Sequence, residues 1–247
     1  LVLVSGTVGT GRSTTIAAMI KHINETRFAH IVTIEDPIEF LFPQSKSVIT
    51  QREIGQDTPS FRDAMVATLR QDPDIIMVGE VTDEETAEGC LKAAETGHLV
   101  ISAINSGDVT TSLQRFVSVF RPEVQPLARI RLADSLTAAI SQRLLPNKSG
   151  LGQLPAVEIL RATRSARDII RQGVLRQDLE RVMNEGNAAH GMQTFEQHID
   201  ILSKSGQLKP DLAKSASAQS STSIPTADID SISAASATAK SDTKKSN

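Results

Sequence analysis

Through about residue 120 the chain alternates short, continuous apolar runs with longer amphipathic stretches. Leu1–Val4, Ile31–Ile34, Ile75–Val78 and Leu99–Ile101 are apolar without alternation, as a strand covered on both faces must be. Between them, Ser13–Ile23, Phe61–Leu69, Glu84–Ala94 and Val109–Val119 repeat apolar residues at three- and four-residue spacing and read as helices. This alternation predicts an α/β fold, a mostly parallel sheet flanked by helices. Ligands on such sheets bind in the loops at the C-terminal ends of the strands.

From Pro122 the pattern turns mostly helical. Arg129–Leu144 reads as one helix, followed by Arg164–Arg171, Leu175–Met183 and Thr194–Leu202, with Leu154–Leu160 as one added strand. After about Leu212 the composition collapses to Ser, Ala, Thr, Lys and Asp, too polar to bury a core of its own, so a disordered tail is expected. The expected division is a nucleotide-binding core over 1–120, a helical region over 121–212 and the tail over 213–247.

Composition narrows the function classes. A net charge of −3 over 247 residues gives no general affinity for nucleic acid. The single Cys90 builds no disulfide framework and reads as a buried thiol in a reducing compartment. No run is long enough to span a membrane and no signal peptide is visible. With no Trp or Tyr and seven Phe, the core must be aliphatic. The sequence opens inside a strand and without Met, so an upstream segment is expected.

The most specific feature is Gly6-Thr7-Val8-Gly9-Thr10-Gly11-Arg12-Ser13, which follows the pattern G-x-x-x-x-G-K-[ST] with Arg12 at the lysine position. An apolar strand enters it and a helix leaves it, which is the context a phosphate loop needs. Glycines let backbone N–H groups converge on phosphate oxygens, and the helix N-terminus adds the positive end of its dipole. Gly6 to Thr14 are therefore the expected nucleotide-binding residues, with Ser13 placed to ligate Mg²⁺. Two acidic segments follow strands. Glu35 and Asp36, stopped by Pro37, read either as groups that meet Mg²⁺ or a water, or as a solvated turn. Ile75–Glu80 is an apolar strand ending in a carboxylate, the pattern of a Walker B element that holds the metal or orients its water. His98, at a strand start, reads as a polar sensor, because phosphoryl transfer needs positioned cations more than a titrating base.

GTVGTGRSTT, TIEDPIEF, ITQREIG, LRQDPDIIMVGE, AAETGHLV and HGMQTFEQHI stand in an order and spacing that resemble the secretion-superfamily ATPases, and among them the PilT-type and PilU-type motors of type IV pilus retraction. The resemblance runs from Leu1 to about Leu208. It implies a RecA-like core, a PAS-like domain ahead of Leu1, a ring hexamer of PilT-like subunits, ATP and Mg²⁺ as cofactors, and a cytoplasmic place beside the inner-membrane pilus platform. It further implies that Glu35 activates the attacking water, that Asp36 and Glu80 serve the metal, that Glu80 is essential to hydrolysis, and that His98 is the first His-box histidine. Ala166–Ile170 resembles an element needed for retraction, with Asp168 where the family has Asn. Three positions depart from the family. Arg12 replaces the lysine, Asn105 replaces the second His-box histidine, and Thr82 stands where Arg is usual. Guanidinium and ammonium are not interchangeable in a tight phosphate nest, so the chain is expected to bind nucleotide and hydrolyse it weakly. The alternatives are a non-hydrolysing paralogue in a mixed ring and a pilus-assembly or type II secretion ATPase. Many of the latter carry a four-cysteine zinc insertion that Cys90 alone cannot build.

Overall fold

The computed structural model describes residues 1–149, 151–173 and 176–208. The tail expected over 213–247 lies outside the described residues. Seven strands form one sheet in the order β3-β2-β4-β5-β1-β6-β7. They are β1 (Val2–Gly6), β2 (His30–Glu35), β3 (Val48–Glu53), β4 (Ile75–Glu80), β5 (Leu99–Asn105), β6 (Ala138–Pro146) and β7 (Gln153–Arg161). All neighbouring pairs are parallel except β6 and β7.

The apolar runs are the interior strands, and consecutive side chains serve opposite faces. Leu3, Ile34, Ile76 and Val78 join the larger core. That core is covered by α2 (Phe61–Thr68), α3 (Glu84–Glu95), α4 (Val109–Ser118) and α5 (Gln125–Ser135), with α6 (Arg164–Gln172) and α7 (Arg176–Glu185). Val4, Ile31, Ile75, Met77 and Ile101 face the other way, onto Ile16 and Ile20 of α1 (Arg12–Thr26). Phe195, Ile199 and Leu202 of α9 (Phe195–Lys204) pack on Ala156 of β7. The mostly parallel, helix-flanked sheet is as expected.

The long helix expected over Arg129–Leu144 is not formed. Helix α5 stops at Ser135, Leu136 turns extended with ψ 132°, and residues 138–146 become β6. Ala, Leu, Arg and Gln favour helix in isolation, but the segment meets two open strand edges. It pairs in parallel with β1 (Val2↔Ala138 to Ser5↔Ser141) and antiparallel with β7 along its whole length. Tertiary pairing overrides local propensity here. Strand β3 was not expected because Val48–Glu53 mixes polar and apolar residues, as suits an edge strand. The short helix α8 (Asn187–His190) was likewise too brief for a periodic signal.

Candidate nucleotide site

Gly6, Glu35, Glu80 and Asn105 each end a parallel strand, and β2, β4, β5 and β1 lie side by side. All four residues therefore stand along one edge of the sheet. The loop after β1 turns through two left-handed glycines, Gly9 (φ 81°) and Gly11 (φ 84°). It is braced from within: the Thr10 hydroxyl donates to the Thr7 carbonyl at 2.7 Å. Gly6 must lack a side chain, because a Cβ there would sit 2.2 Å from Thr10 Oγ1 and 2.8 Å from the Gln142 carbonyl. Helix α1 starts at Arg12 with Gly11 as its N-cap and no side chain capping its first amides. Those orphan N–H groups and the dipole behind them suit an anion.

Arg12 points across β5 to β4. Its guanidinium meets the Glu80 carboxylate fork to fork, Nη1 to Oε1 at 3.3 Å and Nη2 to Oε2 at 3.5 Å. The pair is partly sheltered, with the Arg12 side chain 14% exposed and that of Glu80 36%. Glu35 is buried at the end of β2, where it accepts from the Thr33 hydroxyl at 2.7 Å and from Gln51 Nε2 at 3.3 Å. Ser13 donates its hydroxyl to Glu39 Oε1 at 3.0 Å. Arg12, Ser13, Glu35, Glu39 and Glu80, with Asp36 and Thr82, line a cavity of about 220 Å³. No trio of His, Cys, Asp or Glu among the described residues is arranged to enclose a metal. A hard cation would instead take the Ser13 hydroxyl, nearby carboxylate oxygens and water, which is the way Mg²⁺ sits beside phosphates.

The expected residues divide by place. Arg12, Ser13, Glu35, Asp36 and Glu80 share the cavity. Thr7, Val8 and Gly9 form an exposed rim, Thr10 is buried beneath it, and Thr14 faces outward on α1. His98 is elsewhere. It precedes β5, so the length of that strand, about 20 Å, separates it from the phosphate loop. Its Nδ1 lies 2.9 Å from the Ala93 carbonyl, closing the end of α3. Asn105, at the far end of the same strand, is the register partner of Gly6. A sensor role for His98 therefore has no support from its position within this chain. Cys90 is fully buried in α3, and burial pushes its thiol up to about 12, so it packs as a small apolar residue at neutral pH.

Two polar residues around the site were not anticipated. Gln142 of β6 bonds both the Thr10 carbonyl and the Thr15 hydroxyl. Gln51 of β3 holds Glu35. Gln142 lies within the polar stretch Ser141-Gln142-Arg143, which gives no sign of facing the loop when Arg129–Leu144 is taken as a helix.

Residues 1–174 match the family described as Type II/IV secretion system protein. A twitching motility protein of Neisseria gonorrhoeae is 45% identical over 214 residues, covering 87% of this chain and 57% of that protein. The type IV pilus ATPase PilU of Pseudomonas aeruginosa is 38% identical over 208 residues, covering 84% and 54%. The crystal structure of the pilus retraction motor PilT with bound ADP superposes with a TM-score of 0.77 at 43% identity, covering 87% and 60%. The chain thus spans somewhat over half the length of these relatives. On these matches and the phosphate-loop geometry together, the chain belongs to the type II/IV secretion system protein family.

Proposed function

We propose that this chain is the ATP-binding portion of a subunit of a type IV pilus retraction motor, serving twitching motility, and that it hydrolyses ATP slowly. The observation that carries the reading is the convergence of the Gly6–Ser13 loop with Glu35 and Glu80 on one sheet edge. The likeness to PilT with bound ADP supports it. Loop amides and the α1 N-terminus bind the phosphates. The Ser13 hydroxyl would hold Mg²⁺, which would supply positive charge to offset that of the phosphates. Glu35, fixed by Thr33 and Gln51, orients the attacking water. Asp36 and Glu80 would hold the metal's water ligands. The motor is a six-membered ring with PilT-like subunits, cytoplasmic and docked on the inner-membrane platform of the pilus. No described helix is long and apolar enough to cross a membrane.

Slow turnover follows from Arg12. Its guanidinium is committed to Glu80, so one contact occupies the loop's cation and the Walker B carboxylate together. Catalysis requires that pair to open, whereas the backbone cradle binds phosphate without it. The same contact favours a second reading, a non-hydrolysing paralogue within a mixed ring. ATP turnover by the full-length protein decides between them, measured beside Arg12→Lys. ADP should bind with a dissociation constant of about 10–500 μM. Lysine should raise turnover by about tenfold or more, equivalent to roughly 1.4 kcal/mol. An unchanged or lower rate would mean that Arg12 already serves as the working phosphate cation. No turnover in either protein would favour the paralogue.

A further inference from the structure

A buried polar side chain costs free energy unless it is partnered. Gln142 is 3% exposed on β6, where Ala139 and Ser141 are fully buried. Both ends of its amide are used, and both on one short segment. Nε2 donates to the Thr10 carbonyl, and Oε1 accepts from the Thr15 hydroxyl at 2.7 Å. Each contact fixes the other. The hydroxyl on Oε1 keeps Nε2 turned toward Thr10, and a reversed amide would set oxygen against oxygen. The loop presses on this side chain, since a Cβ at Gly11 would lie 3.2 Å from Nε2.

In a trans peptide the C=O and N–H point in opposite directions. Holding the Thr10 carbonyl inward on β6 therefore turns the Gly11 amide outward, toward the side from which a phosphate approaches. Gly11 is the left-handed N-cap of α1, and the first amides of that helix carry no side-chain cap. We propose that Gln142 is a positioning residue for nucleotide binding: it fixes the Thr10–Gly11 peptide so that the loop amides face phosphate before any ligand arrives. This rests on the Gly6–Ser13 loop being a nucleotide site. Gln142 acts through the peptide and touches no phosphate itself. A cradle set in advance serves bound nucleotide and transition state alike, so its loss raises KM and leaves kcat nearly unchanged.

The test compares the full chain with Gln142→Met and Gln142→Glu, using a fluorescent ADP analogue, melting without nucleotide, and ATP turnover. Methionine keeps the volume and removes both hydrogen bonds. Glutamate keeps the acceptor for Thr15 but presents oxygen to the Thr10 carbonyl. Each variant should weaken ADP binding by about tenfold and raise KM likewise, with kcat within about threefold of the parent. Glutamate should be at least as damaging as methionine. Equal ADP affinity in parent and variants, or a fall in kcat at unchanged KM, overturns the positioning role and leaves the site intact. A parent protein that binds no ADP defeats the nucleotide-site reading itself. Should both variants fail to fold, Thr15→Val keeps Gln142 and frees its amide to turn. Weaker ADP binding then supports the role, and unchanged binding overturns it.

Discussion

Among single residues, Glu158 carries the clearest pH signature. It accepts the Val109 amide at 2.8 Å, beside Asp108, Arg143 and Arg176. Burial raises its carboxyl from 4.5 to about 7, against the pull of the Val109 amide and the two guanidinium groups. Between those pH values the folded chain keeps a proton that the unfolded chain has released, so stability falls as pH rises through that window. The loss is complete about one pH unit above 7 and is on the order of 3 kcal/mol. Glu158→Gln keeps an acceptor for Val109 and cannot titrate. Urea midpoints at pH 5 and pH 8 should show a drop in the parent and a much smaller one in the variant. Parallel drops would place the dependence elsewhere. At this scale much was legible. Arg12, Ser13 and Glu80 stand out from loop and strand-end chemistry, whereas Glu35 and Asp36 read equally as a solvated turn until the family resemblance is added; all five line one cavity. His98 stands apart from these five. It sits at the start of β5, while ligands gather at the ends of parallel strands.

Among elements, α6 gives physical content to the segment Ala166–Ile170. Ala166 and Ile170 are fully buried in the main core. Arg167 turns back to the end of α5, where its guanidinium donates to the carbonyls of Ala133, Asp134 and Leu136, as well as Ala162. Helix ends leave carbonyls without partners, and a cation there also complements the dipole. Arg167→Met keeps much of the apolar stem and removes the cap. It should cost about 1.5–3 kcal/mol, as for hydrogen bonds to a charged group, read from chemical denaturation. A change below about 0.5 kcal/mol would reduce this contact to the level of an ordinary exposed pair. The interior strands were legible because full burial demands an unbroken apolar run. Strand β6 was not, since Ala138–Pro146 has helix-forming composition and becomes a strand only against β1 and β7. Misreading that element hid Gln142, whose significance depends on facing the phosphate loop.

The whole molecule sets the strand that carries the phosphate loop between two late-coming neighbours. Strand β1 is the first element in this sequence, yet Val2 pairs with Ile101 on one side and with Ala138 on the other. Closing such distant pairs costs chain entropy before any contact repays it. The same arrangement makes ligand binding a matter of timing during synthesis. Gly6–Ser13 is translated well before β5 and β6, so β1 has no partner until β5 emerges, and the loop has no Gln142 until β6 does. Ribosome-held chains halted after α4 should therefore fail to retain an ADP analogue. Chains halted once β7 is free should retain it. Retention by the shorter chains would show that β1 and α1 shape the cradle unaided. On the proposed reading, then, the phosphate loop meets nucleotide as an idle strand edge while this segment is translated and becomes a binder only near the end of the sheet.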